Sequence, residues 1–173
     1  MKRLLLTIFF FALTACGNET EKKTLGIKFE DFANNLNSKN SAFLIAQELD
    51  FRTTDGSDDL RLQYMFNETT ALKTIINKSD HKIQNMQIVN AVGGDGRLNA
   101  LKLVIDAPLL ASLATQSINP QLDKSDIGPV ILDLFSKAAE HQNVEQQHVL
   151  SSNSYSVKFD SEYKSYIFSI TPM

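Results

Sequence analysis

Alternating apolar and polar residues between positions 59 and 92 constrain the fold of this 173-residue chain more than any other feature. The first apolar set recurs at every second position, the period of a strand with one buried face: Leu60, Leu62, Tyr64 and Phe66. Residues 71–77 and 83–92 supply two more segments of strand-like composition. Turn-like sequences of three or four residues separate the segments, and connections this short make neighbouring strands antiparallel. We therefore predict a three-stranded antiparallel meander.

Helical spacing appears on both sides of the meander. From Ile27 onward, apolar residues fall at i, i+3, i+4 and i+7, on one face of a helix: Phe29, Phe32, Ala33 and Leu36. A later helix is predicted to begin at Asp126 as its N-cap, with Pro129 in the first turn. Its apolar stripe continues to Ala138 and is the clearest helical pattern in the chain.

Residues 98–117 also show helical spacing, but they contain a proline. Because Pro108 removes one backbone donor, we predict a helix that is kinked there or split at Asp106. The alternative is a strand over residues 98–105, followed by a helix that Asp106 caps.

Strand periodicity returns at the C-terminus and completes the predicted fold. After a polar loop over residues 140–147, two alternating segments flank a turn at 160–162 and form a hairpin. The predicted order is α-β-β-β-α-α-β-β, which indicates a single α+β domain over residues 27–173. Its antiparallel sheet would have about five strands, with two to three helices packed on one face.

The first sixteen residues have the order of a secretory signal: Lys2 and Arg3, an apolar run over 4–13, then small residues. The run is shorter than the roughly 17–25 residues of a membrane-spanning helix. The last four of these sixteen residues, Leu13-Thr14-Ala15-Cys16, resemble the lipobox of bacterial lipoprotein precursors. The resemblance implies that residues 1–15 are removed and that the Cys16 thiol is diacylated. There are two alternatives. The segment could stay uncleaved as an anchor, or an ordinary signal peptide could be removed with no lipid attached to Cys16.

The same resemblance implies a location. A lipidated Cys16 would carry two or three acyl chains, enough for stable membrane attachment, and residues 16–26 would form a flexible tether. In double-membraned bacteria, Asp after the cysteine tends to retain lipoproteins at the inner membrane. Gly17 stands at that position, so we expect an outer-membrane protein that faces the periplasm.

Charge and cysteine content exclude several classes of partner. Of 17 basic and 20 acidic residues, the signal removes Lys2 and Arg3, so the mature chain has 15 basic residues and a net charge of −5. An acidic balance argues against nucleic acid as a partner. Since Cys16 is the only cysteine, its lipidation would leave no thiol for a metal site or a nucleophile. We predict no cofactor.

Few residues stand out as candidates for a site. Tyr155, Tyr163 and Tyr166 crowd the C-terminal hairpin, and tyrosines are common anchors of protein partners, although most of this cluster is expected to pack in the core. Asp55, Asp58 and Asp59 form an acidic stretch, a weak calcium candidate that a hairpin turn explains better.

These observations favour a non-catalytic binding or scaffold lipoprotein of the cell envelope, attached to the membrane through Cys16 and binding an envelope protein. One alternative is an inhibitor of an envelope hydrolase that acts through a loop or the 155–170 hairpin. A second alternative is a hydrolase that uses His141 or His148 with nearby carboxylates; no coherent catalytic set supports it.

Overall fold

The computed structural model describes residues 22–39, 59–67, 69–91 and 97–173, with the backbone alone at residues 39 and 97–105. These ranges contain three helices: α1 (Phe29–Lys39), α2 (Arg97–Ile118) and α3 (Lys124–Glu140). They also contain six strands: β1 (Asp59–Met65), β2 (Thr70–Asn77), β3 (Ile83–Ala91), β4 (Gln146–Leu150), β5 (Asn153–Asp160) and β6 (Ser165–Pro172). The predicted α+β class and element order are confirmed, with one strand more than expected.

All six strands belong to one antiparallel sheet in the order β1-β2-β3-β6-β5-β4. The meander and the C-terminal hairpin join where β3 pairs with β6, with Ile88 opposite Phe168. The extra strand, β4, lies at one edge of the sheet. Its residues overlap the last two positions of the predicted 140–147 loop and continue to Leu150. Gln147, His148 and Val149 are all exposed there, so no buried face imposes an alternating pattern on this segment.

The hydrophobic core lies between one face of the sheet and the helices. The central strands contribute side chains that are at most 1% exposed: Met86, Ile88, Tyr155, Val157, Phe168 and Ile170. Helix α3 packs its predicted stripe against them, and the Phe135 ring stacks on Phe168 with centroids 6.2 Å apart. Helix α1 adds Phe32 and Leu36, so the helices cover a single face of the sheet.

Helix α2 runs without interruption through Pro108. A strand over residues 98–105 is therefore wrong, and the helix is not split at Asp106. From residue 107 to residue 119 only Leu109 is exposed, because α1, α3 and the sheet all pack against this helix. Burial of this part of the helix stabilises it by more than is lost with the hydrogen bond that Pro108 cannot donate.

Helix α3 begins one turn earlier than predicted. Its N-cap is Asp123, whose Oδ1 accepts a hydrogen bond from the Ser125 backbone N–H at 2.9 Å. Asp126 lies in the first turn, so its assignment as the N-cap is wrong. Pro129 was the misleading signal, because proline favours the first helical position but here lies five residues beyond Lys124.

Replacement of Asp123 by alanine tests this assignment. We expect Asp123→Ala to lower the melting temperature by about 2–4 °C, because the N-terminal N–H groups lose their side-chain acceptor. Asp126→Ala is the matched control and should have about half that effect, since it removes only a favourable charge near the helix dipole. Thermal unfolding by circular dichroism measures both. A larger loss for Asp126→Ala would contradict the assignment.

Candidate functional site

The first described residues are fixed to the start of β3. Leu25 is only 7% exposed and belongs to the core. Its N–H donates to the Ile83 carbonyl at 2.7 Å, and the Ile83 N–H donates to the Ile27 carbonyl at 3.0 Å. Gly26 between them has φ of 78°, a left-handed conformation that glycine adopts without strain. The folded domain therefore includes Leu25 and Gly26, two residues that the sequence analysis assigns to a flexible tether.

A polar contact fixes the segment a few residues earlier. Asp59 Oδ1, at the start of β1, lies 2.9 Å from Lys22 Nζ and accepts a hydrogen bond from Gln84 Nε2 at 2.8 Å. The hydrogen bond from Lys22 is the main cause that holds the pKa of Asp59 below its usual value; burial opposes it, and the hydrogen bond from Gln84 adds a smaller lowering. This carboxylate is therefore ionised across the neutral range, and the pair links the N-terminal segment to the edge strand.

The acidic stretch does not assemble a cation site within the described residues. Asp59 uses one oxygen for Lys22 and Gln84, and Asp55 and Asp58 lie outside the described residues, as does Cys16. Within the described ranges no three His, Cys, Asp or Glu side chains are grouped so that they could hold a metal ion. The calcium hypothesis thus stays a prediction that rests on sequence alone.

Leu25→Ala tests whether the N-terminal segment is part of the fold. We expect a loss of about 2–4 kcal/mol in the free energy of unfolding, since a buried leucine is truncated in a packed core. Urea denaturation measures the loss, and tryptic cleavage after Lys28 should become faster in the variant. The control is Leu132→Ala in α3, at a position 58% exposed, which should change stability by no more than about 0.5 kcal/mol. A Leu25→Ala chain as stable as this control would show that the segment is not docked.

Strand register places the N-terminal segment and the hairpin turn at opposite ends of the sheet. Lys28 bridges to Lys82 where β3 begins, at what we call the N-terminal end. At the other end of β3, Ala91 pairs with Ser165 and its N–H donates to the Thr69 carbonyl at 2.8 Å. The β5–β6 turn, residues 161–164, immediately precedes Ser165 and so lies at this far end. The eight residue steps of β3 separate the two ends by about 27 Å.

Tyr155 is not available to a partner. It is fully buried on the helix-covered face, and its hydroxyl accepts a hydrogen bond from Asn119 Nδ2 at 2.8 Å. Burial raises the pKa of this phenol, and hydrogen bonds with Asn153 and Asn119 partly oppose the increase. Its assignment to a partner surface is therefore wrong, because Tyr155 alternates in phase with the core residue Val157.

Tyr166 also serves packing more than recognition. Its ring centroid lies 4.8 Å from Phe159 and 5.6 Å from Phe135, and burial raises the pKa of its hydroxyl. Tyr166 is partly buried, and the partner role predicted for it stays a prediction. Tyr163, in contrast, is 72% exposed in the β5–β6 turn and is the only member of the predicted trio that projects from the domain.

A residue from another loop holds the turn that carries Tyr163. Asn143 Oδ1 accepts a hydrogen bond from the Ser161 N–H at 3.0 Å, and Asn143 Nδ2 donates to Ser161 Oγ at 2.7 Å. The Asn143 N–H donates to the Phe159 carbonyl at 2.8 Å. Asn143 has φ of 63°, a conformation that asparagine tolerates better than most residues. Sequence reasoning missed Asn143, which is 18 residues from Ser161 and has no pattern to mark it.

The last residue of β5, Asp160, also closes the turn. Asp160 Oδ1 accepts hydrogen bonds from the backbone N–H groups of Glu162 and Tyr163, at 3.0 and 3.1 Å. We refer to Asn143, Val144 and residues 161–164 together as the hairpin tip. Because hydrogen bonds from two directions fix its backbone, the hairpin tip holds the backbone of Tyr163 in a defined position at the far end.

The histidines do not form a catalytic group in the described part of the chain. His141 and His148 are exposed, and His141 ends α3, where its N–H donates to the Lys137 carbonyl at 2.9 Å. His81 lies in the β2–β3 turn with φ of 59°. None of the three forms an ion pair with a described carboxylate. The hydrolase alternative gains no support from this arrangement.

The face of the sheet opposite the helices is largely polar. One row of directly paired residues crosses all six strands: Gln63, Lys73, Gln87, Ser169, Ser156 and Gln147. Gln87 Nε2 donates weakly to Ser169 Oγ at 3.4 Å. The row is extended and does not converge on one point, as the groups of a catalytic site must.

Comparisons with known proteins add no assignment. No family model matches the chain, and neither a curated protein nor a solved structure matches it. Of the helices described above, none combines the length and apolarity that crossing a bilayer would need. Inferences about function therefore rest on the residues and on their placement in the fold.

Proposed function

We propose that this protein is a membrane-tethered lipoprotein of the bacterial envelope with a non-catalytic binding or scaffold role. The lipobox-like sequence that ends at Cys16 supports lipid attachment, and Gly17 favours the outer membrane with the domain facing the periplasm. The acidic mature chain, with its net charge of −5, fits a protein partner better than nucleic acid.

The observation that carries this proposal is the fixed N-terminal segment. The chain is held to the sheet from Lys22 onward, only six residues after the predicted lipid site. Six extended residues reach about 20 Å at most, which is less than the separation of about 27 Å between the two ends of the sheet. A lipid on Cys16 would therefore hold the N-terminal end of the sheet close to the bilayer and direct the far end away from it.

Separation of the two ends supports a binding role. Attachment would use the N-terminal end, and the hairpin tip at the far end would stay accessible to other envelope proteins. The inhibitor alternative draws on the same observation, since a fixed turn with one projecting aromatic ring is suited to fill the cleft of a hydrolase. In both cases the chain acts by contact and performs no chemistry.

Mass spectrometry of the mature N-terminus tests the proposal. Cells that produce the full chain are grown with an alkyne-labelled fatty acid, and the purified protein is digested with trypsin. We expect a labelled peptide of residues 16–22 that begins at Cys16 and carries a diacylglyceryl group. A peptide that retains residues before Cys16, or one with a free Cys16 thiol, would contradict lipid attachment.

A further inference from the structure

We infer that the hairpin tip is the surface that binds a protein partner, and that the partner offers an apolar pocket bordered by basic side chains. This inference rests on the proposed binding function and deepens it by naming the surface and the chemistry of its partner. Four features of the far end lead to it: exposed apolar side chains, a fixed backbone, an excess of acidic groups and distance from the N-terminal end.

The hairpin tip exposes two apolar side chains. Tyr163 is 72% exposed and Val144 is 55% exposed. The bonds between Asn143 and Ser161 place the two chain segments that carry them side by side. A tyrosine combines a large apolar ring with a hydroxyl, and such residues are enriched among the side chains that dominate binding energy. Neither side chain belongs to the core.

The backbone of the hairpin tip is ordered before any partner arrives. Asn143 fixes Ser161 from the α3–β4 loop, and Asp160 fixes the N–H groups of Glu162 and Tyr163 from within the turn. Ordering a flexible loop on binding costs free energy, so a preformed turn retains more of the energy of each contact. A projecting, preformed turn is complementary to a concave surface, which is why the partner should provide a pocket.

The charges around the hairpin tip indicate which side chains should border the partner's pocket. Among the described residues on and beside the tip, Glu140, Glu145 and Glu162 are exposed, and so are two lysines: Lys137, which pairs with Asp133, and Lys164. Within the described part of the chain, none of these three glutamates takes part in an ion pair. Complementary charge across an interface increases association rates and disfavours wrong partners. The partner should therefore surround its pocket with lysine or arginine side chains.

Position selects a protein over the membrane or a second copy. The far end lies about 27 Å from the N-terminal end, so a lipid on Cys16 directs the hairpin tip away from the bilayer. A second copy would bring the same acidic groups together around two exposed tyrosines, and like charges at close range are unfavourable. A protein with a basic rim meets neither obstacle.

Site-specific photocrosslinking in living cells tests the inference. The probe is p-benzoylphenylalanine in place of Val144 in the full-length chain, and the matched control carries it in place of Ser152. Ser152 is also an exposed turn residue, but it lies at the N-terminal end beside the last strand. We expect a covalent adduct from the Val144 position and none from the Ser152 position. The protein identified in the adduct should have an apolar pocket bordered by basic residues.

Two further variants make the adduct diagnostic. Tyr163→Ala should reduce its yield by about tenfold or more, as truncation of a binding anchor does, whereas Tyr163→Phe should keep most of it. Glu145→Gln with Glu162→Gln should reduce the yield several-fold if the rim is basic. An adduct unaffected by Tyr163→Ala, one formed equally from Ser152, one that contains two copies of this chain, or no adduct at all would overturn the inference.

Fatty-acid labelling of the same cultures separates the two proposals. A labelled chain that gives no Tyr163-dependent adduct refutes the partner surface and leaves lipid attachment in place. An unlabelled chain that does give the adduct refutes the anchor and leaves the hairpin tip as a binding surface.

Discussion

A Cys16→Ser chain is expected to lose all fatty-acid label and to leave the membrane fraction. Serine has no thiol to take the diacylglyceryl group, and Cys16 is the only cysteine in the chain. Each buried methylene contributes about 0.8 kcal/mol to membrane binding, so two or three acyl chains together hold a protein almost permanently. Their loss should therefore appear as complete release, or as accumulation of an uncleaved precursor. Labelling followed by separation of membrane and soluble fractions measures both effects.

Gly17→Asp is the matched control for this experiment. It leaves the thiol in place, so the label should persist, but aspartate after the lipidated cysteine should retain the protein at the inner membrane. Neither substitution touches the described fold, which begins at Lys22, so both proteins should unfold at the wild-type urea concentration. Persistent label on Cys16→Ser would end the lipoprotein proposal, and with it the assignment of the N-terminal end to the membrane.

The elements that sequence predicted well are those with one buried face. β1, β5 and β6 alternate because one side of each strand contributes to the core, and α3 shows a stripe because one side of it is buried. β4 could not be predicted from the sequence, because it lies at an edge of the sheet and most of its side chains are exposed. For α2 an alternative stayed open although its apolar residues have helical spacing, because the proline inside it favours a break.

The residue at which the folded domain begins could not be predicted, for a different reason. Leu25 is a single apolar residue in a polar segment, and one residue cannot establish a period. Its burial depends on β3, nearly sixty residues later in the chain, through backbone hydrogen bonds that any sequence could make. Only the three-dimensional structure could therefore place this residue in the core.

The hairpin tyrosines were partly predictable. Tyr155 and Val157 share a strand face, so the alternating pattern already favoured burial for Tyr155, and Tyr163 stood in the turn that the core needs least. The contact between Asn143 and Ser161 was not predictable, because it joins two loops that the sheet brings together at the far end. The orientation of Tyr163 thus depends on long-range pairing, whereas its exposure follows from local sequence.

Phe168→Ala is expected to cause the largest loss of stability among the substitutions considered. Phe168 is fully buried in β6, opposite Ile88 on one side and Val157 on the other. Its ring contacts Phe135 and Tyr155, with centroids 6.2 and 6.3 Å away. Truncation should cost about 3–5 kcal/mol, a large share of the roughly 5–15 kcal/mol that stabilises a typical domain. Urea denaturation monitored by circular dichroism measures the loss, and Phe168→Leu supplies a milder variant if the alanine chain does not fold.

Tyr163→Ala, five residues earlier in the same hairpin, is the control that gives this prediction functional meaning. Since Tyr163 is 72% exposed, its truncation should change the free energy of unfolding by less than about 0.5 kcal/mol. A stable Tyr163→Ala domain would mean that any loss of crosslinking in that variant reflects a lost contact and not a lost fold. If instead both substitutions destabilised the domain equally, Tyr163 would belong to the structure of the hairpin, and the hairpin tip could no longer be separated from the core as a surface for binding.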